Sequence, residues 1–67
     1  MKFSEIRKDS FYLIEFCGQE FKGKFLGYFE GYKAIQFAVF WVDDDWDLFH
    51  IREECILSLI SAEVALN

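Results

Sequence analysis

The sequence predicts a mainly β fold: five short strands bent into a small antiparallel barrel, preceded by a short N-terminal helix. Three observations carry this expectation. Most of the chain after residue 10 repeats with a period of two, all four glycines fall within residues 18–31, and the short β-rich segments are mostly joined by tight turns. With 67 residues and no proline, the chain holds no linker and no repeat, so residues 1–67 read as a single domain.

The first segment, Lys2 to Asp9, places Phe3, Ile6 and Ser10 on one side at helical spacing, with Ser4 as a candidate N-cap. The period then changes. "FYLIEFC" (11–17) is rich in β-formers and ends at the turn residue Gly18. In "EFKGKFLGYF" (20–29), Phe21, Gly23, Phe25 and Gly27 fall on one face, against Glu20, Lys22, Lys24 and Leu26 on the other. Phenylalanine alternating with glycine suits a strand curled so hard that only hydrogen fits on its concave side. The spacing of Gly23, Gly27 and Gly31 would also suit a membrane-helix face, but Lys22, Lys24 and Glu30 interrupt it. A phosphate loop is excluded because no Gly-Lys-Ser or Gly-Lys-Thr ends the run.

A turn at Glu30 and Gly31 leads to "KAIQFAVFWV", apolar on both faces, a strand expected to be covered from two sides. "DDDWD" reads as a solvated loop tip. "WDLFHI" places Trp46, Leu48 and His50 on one face, Asp47, Phe49 and Ile51 on the other. Arg52, Glu53 and Glu54 form a turn, and "CILSLIS" is the last strand.

Composition bounds the function. The chain is 54% apolar and 21% aromatic, more than one small core can hide, so a second copy of the chain is the expected cover. The longest uncharged run, Ala34 to Val42, is nine residues, whereas a spanning helix needs about twenty. The N-terminus lacks the apolar core of a signal peptide. The expected protein is soluble and cytoplasmic, with no membrane contact. Cys17 and Cys55 make no disulfide framework. The net charge of −5 disfavours unspecific phosphate binding while allowing a local basic patch.

The run "CGQEFKGKFLGYFEGYKAI" (17–35) resembles the first motif of the Sm-like (Lsm) family, with Gly18, Phe21, Gly23, Phe25, Gly27 and Tyr28 in register. "LFHIREECILSLI" resembles the second, where Ile51 and Arg52 match and Ile56 and Leu59 hold the following apolar positions. The resemblance implies the Sm-like type of barrel, assembled as a homo-oligomeric ring in which the fourth strand of one subunit pairs with the fifth of the next. Trp46, Leu48, His50, Cys55, Ile56, Leu57 and Leu59 are then the expected subunit contacts.

It also implies single-stranded, uridine-rich RNA as a partner, bound at the inner rim. In gapless register Phe29 stands where the family has its RNA-binding aspartate, Gly31 at the base-stacking position and Lys33 at the asparagine; Arg52 is kept, but Glu53 replaces the glycine after it. Sliding the turn by one residue makes Glu30 the acid and Tyr32 the stacking ring. The candidate RNA-binding residues are therefore Tyr28, Glu30, Tyr32, Lys33 and Arg52, with altered or relaxed specificity, because the polar pair that reads a base edge is missing. The alternative is a small barrel used only for protein–protein assembly, with no nucleic-acid role.

No catalytic group, cofactor or metal is expected. His50 and Cys55 could meet across a turn, but no third group orients them. "DDDWD" lacks the ligand spacing and glycine of a calcium loop, and no paired Cys or His spacing suits zinc.

Overall fold

The computed structural model describes residues 1–43 and 47–62. Five strands, β1 (Phe11–Phe16), β2 (Gln19–Glu30), β3 (Gln36–Val42), β4 (Asp47–Ile51) and β5 (Ile56–Ser61), form one sheet in the order β4-β3-β2-β1-β5. All four pairings are antiparallel. Among the predicted features, Asp44, Asp45 and Trp46 of the acidic loop, and the tail from residue 63, lie outside the described residues.

The β1–β2 hairpin follows from its turn. Phe16 pairs with Gln19, leaving Cys17 and Gly18 as a two-residue loop with φ of 52° and 78°. Two positive φ angles in succession are what a type I′ turn requires, and its twist matches that of the flanking strands.

The long β2 is shared: residues up to Lys24 pair with β1, and residues from Lys24 onward pair with β3. At this handover the strand must bend. Gly23 makes room, because a Cβ there would sit 3.0 Å from Phe40 Cβ and 3.2 Å from Ile14 Cδ1. A register shift between Phe25 and Gly27 then leaves Leu26 as a bulge, so Gly27 pairs with Val39 and Tyr28 with Ala38. The expected inner row Phe21, Gly23, Phe25, Gly27 is thus corrected at its last member, because the extra residue reverses the alternation.

Inside the bend lie Tyr12, Ile14, Phe25, Ala38, Phe40, Val42, Phe49, Ile51 and Ile56. Phe40 is the hub: its ring meets Tyr12 edge-on at 6.0 Å and Phe25 at 5.5 Å. The alternation expected for β4 holds, with Phe49 and Ile51 inside and Leu48 and His50 outside; β3, expected to be covered from two sides, buries Ala38, Phe40 and Val42 on one face and leaves Phe37, Val39 and Trp41 half-buried on the other.

Two expectations are corrected. The sheet curls but does not close into a barrel: β4 and β5 are its two edges, and β4 returns against β1 without joining its ladder. Side chains make that contact, with the Phe49 ring 4.8 Å from Phe16 and 5.0 Å from Phe21. The N-terminal helix is only a 3₁₀ turn, Phe3–Glu5, which Glu5 rather than Ser4 caps by accepting the Lys2 N–H at 2.9 Å. The groups that would extend it have other partners. Arg7 N–H donates to the Tyr12 hydroxyl at 2.8 Å, Asp9 N–H to the Phe25 carbonyl at 2.8 Å, and the Phe3 carbonyl accepts from the Tyr28 hydroxyl at 2.6 Å. Ile6 is drawn into the core in the process.

Gly23→Ala tests the bend. In an open strand alanine stabilises relative to glycine by roughly 0.5–1 kcal/mol, but here the methyl meets Phe40 and Ile14. Chemical denaturation is expected to show a net loss of about 1–3 kcal/mol; a gain would mean that β2 has slack at this point.

Candidate functional site

The predicted RNA-binding residues divide among three places. Tyr32 and Lys33 sit on a 3₁₀ turn (Tyr32–Ala34) between β2 and β3, closed by Gly31 N–H donating to the Ile35 carbonyl at 2.8 Å. The turn puts Lys33 and Ala34 both at φ 60° and pushes Tyr32 into solvent, 84% exposed. Lys33 Nζ lies 5.6 Å from the centroid of that ring. An exposed aromatic ring beside a lysine can stack a base and hold the adjoining phosphate.

Tyr28 and Glu30 face a polar cleft of about 430 Å³, lined also by Ala34 and Gln36. Tyr28 is 46% exposed, but its ring and hydroxyl both have partners. Its ring packs edge-on against Phe3 at 5.3 Å and Phe25 at 5.1 Å, and its hydroxyl holds the Phe3 carbonyl. Glu53 acts on the same segment, accepting the Phe3 N–H at 2.6 Å. Tyr28 and Glu53 therefore dock the N-terminal turn. Burial of the Tyr28 phenol, then the nearby Tyr12 and the Glu53 carboxylate, push its pKa above the ordinary value of 10.0.

Arg52 lies in a third place, following β4. Its ion pair is loose: Glu54 Oε1 stands 3.9 Å from Nη1, with both side chains mostly exposed. Such a pair contributes about 0–1 kcal/mol and leaves the guanidinium available. Arg52 shares an apolar cleft of about 280 Å³ with Phe16, Phe37, His50 and Ile51. Cys17, Cys55 and Glu15 complete the lining. The suspected proximity of His50 and Cys55 is thus met to the extent that both line one cleft, with the second free thiol beside them. Among the described residues no group of three or more His, Cys, Asp or Glu is placed to hold a metal.

The sequence reading missed the rings around this cleft. His50 stacks on Phe29 at 5.0 Å with planes 9° apart, and Phe37 stands 6.4 Å away. The signal lay in the hairpin registers: Phe29 pairs with Phe37, and His50 pairs with Val39 two residues further along β3.

Of the expected subunit contacts, Leu48 and His50 on β4 and Leu57 and Leu59 on β5 are exposed, and Cys55 is half-buried. Ile56 is corrected: at 1% exposure its side chain belongs to the core, where it pairs with Ile14. Trp46 lies outside the described residues. Compared with protein-family models, curated proteins and solved structures, the chain matches none of them.

The raised Tyr28 pKa has a definite sign. The protonated phenol is favoured in the folded state, so its contribution is complete below the unfolded value and is lost as pH rises through the folded one. Unfolding measured between pH 8 and 12 is expected to show a steeper alkaline loss of stability in the wild type than in Tyr28→Phe. At pH 7 that variant should be less stable by about 0.5–1.5 kcal/mol, for one hydrogen bond. Equal alkaline slopes would remove Tyr28 from its docking role.

Proposed function

We propose that the chain is a binding module, not an enzyme, that assembles with copies of itself into a ring of the Sm-like kind and takes single-stranded RNA with relaxed specificity, in the cytoplasm. The observation that carries this reading is the strand order. Its two edges are β4 and β5, the two strands that the resemblance pairs between subunits. Edge backbones offer unpaired donors and acceptors, and a head-to-tail β4–β5 contact uses both edges of every copy. Leu48 on one edge, and Leu57, Leu59 and Ile60 on the other, supply exposed apolar side chains.

For RNA the contributing groups are Tyr32, Lys33 and Arg52. Tyr28 is committed to Phe3, and Phe29, where the resemblance places an acid, is stacked on His50. Stacking and charge without an edge-reading polar pair bind bases with little discrimination. A second reading, assembly without RNA, is favoured by the net charge of −5 and by the carboxylates of Glu53 and Glu54 following Arg52.

Two experiments test these readings. Light scattering at micromolar concentration is expected to give a mass of several chains, and Leu48→Lys or Leu59→Lys to reduce it to one. A wild-type monomer would end the assembly reading. Labelled oligo-uridine and mixed-sequence RNA, titrated at two salt concentrations, are expected to bind alike and more weakly at high salt. Lys33→Ala and Arg52→Ala should each weaken binding, and Tyr32→Ala should cost about 1–3 kcal/mol. If neither RNA binds at low salt, the assembly-only reading stands.

A further inference from the structure

The apolar cleft that Arg52 shares with the two thiols lends Arg52 to the RNA reading and His50 and Cys55 to the expected subunit contacts, but its cavity has no role in either reading. It sits at the seam of the unclosed sheet: Phe16 comes from the end of β1, His50 and Ile51 from β4, and Phe37 from β3. We infer that this seam cleft is a binding site for a small aromatic monocarboxylate, with the flat ring between the apolar walls and the carboxylate on Arg52.

The walls are fixed in advance by ring packing. Phe16 leans on Phe49, which Phe21 meets edge-on, and His50 is held flat against Phe29. A pocket shaped before the ligand arrives loses little side-chain freedom on binding. Ile51, Phe37 and the two sulfurs are soft, apolar neighbours for an aromatic ring. About 280 Å³ suits one ring with one substituent.

The charges select the head group. Arg52 offers a planar fork that matches a carboxylate, and its 3.9 Å partner Glu54 is too loose to occupy it. His50 adds an imidazole donor on the same lining. Glu15, also in the lining, and Glu54 oppose a second negative charge. A carboxylate with one charge therefore fits this cleft better than a phosphate with two.

The test is a titration of the full chain with benzoate, followed by amide chemical shifts. The expected result is saturable change centred on Phe16, Cys17, Ile51 and Arg52. Benzyl alcohol, of the same shape without the charge, and phenyl phosphate, with a second charge, should each bind about tenfold more weakly, as should Arg52→Gln, for one charge-assisted hydrogen bond. Arg52 is exposed, and the spectrum itself reports that the variant is folded. Lys33→Gln lies outside the cleft and should leave benzoate affinity unchanged while lowering any RNA affinity, so the two readings fail separately. Absence of localised shifts at millimolar benzoate would overturn the inference. So would equal binding of benzyl alcohol, or an Arg52→Gln variant as tight as wild type.

Discussion

The close approach of β2 to Phe40 at Gly23 is the constraint on which the rest of the molecule depends. Lys24 is the residue at which β2 changes partner, pairing with Phe11 of β1 on one side and Trp41 of β3 on the other. A straight β2 would hold the two hairpins in one plane and leave Tyr12, Ile14, Phe25 and Phe40 open to water. Bent there, with the Leu26 bulge adding twist, the sheet folds those side chains onto one another. The curl also brings Phe49 onto Phe16, so the seam between β4 and β1 is made of rings and not of backbone hydrogen bonds.

The N-terminal segment packs onto the core, with Ile6 inside it and Met1 and Phe3 against it. The segment is too short to hold an independent helix against the cost of nucleation. It is instead fastened group by group to Tyr12, Phe25, Tyr28 and Glu53. One of those partners, Glu53, stands where the Sm-like resemblance expects a glycine. Accepting the Phe3 N–H gives the carboxylate at that position a structural role. The Tyr28 phenol donates to the Phe3 carbonyl and its ring meets Phe3 and Phe25, although the residue stays about half exposed.

The strands were legible in the sequence because alternation is a local property. Phe49 and Ile51 inside, with Leu48 and His50 outside, required nothing beyond a period of two. The helix was misread because Phe3, Ile6 and Ser10 have helical spacing, while the acceptors that override it lie up to fifty residues away in the sequence, as Glu53 does for Phe3. Gly27 was misplaced because a bulge shifts the phase without changing the composition. Of the candidate site, Tyr32 and Lys33 were named through the resemblance, while the sequence pattern began the strand at Lys33; the 3₁₀ turn Tyr32–Ala34 delays it to Gln36. The cleft around Arg52 was not legible, since its walls come from three strands whose proximity is set by the curl.

Among the described residues, β4 and β5 each have one side that pairs with no other strand. Sheet proteins that remain monomeric commonly guard an edge with lysine, proline or an inward-pointing charge. Here β5, Ile56–Ser61, carries no charge at all, and Leu57, Leu59 and Ile60 are exposed along it. On β4 the one carboxylate, Asp47, is at the strand's start and turns back to accept its neighbour's Leu48 N–H at 2.8 Å. The convex face has its own cover, since Lys22 lies over the Phe11 ring at 4.8 Å and Lys24 reaches toward Asp9 at 3.8 Å. Charge therefore screens part of the sheet's outer face while its edges stay apolar. That distribution leaves Leu57, Leu59 and Ile60 exposed along an uncharged strand.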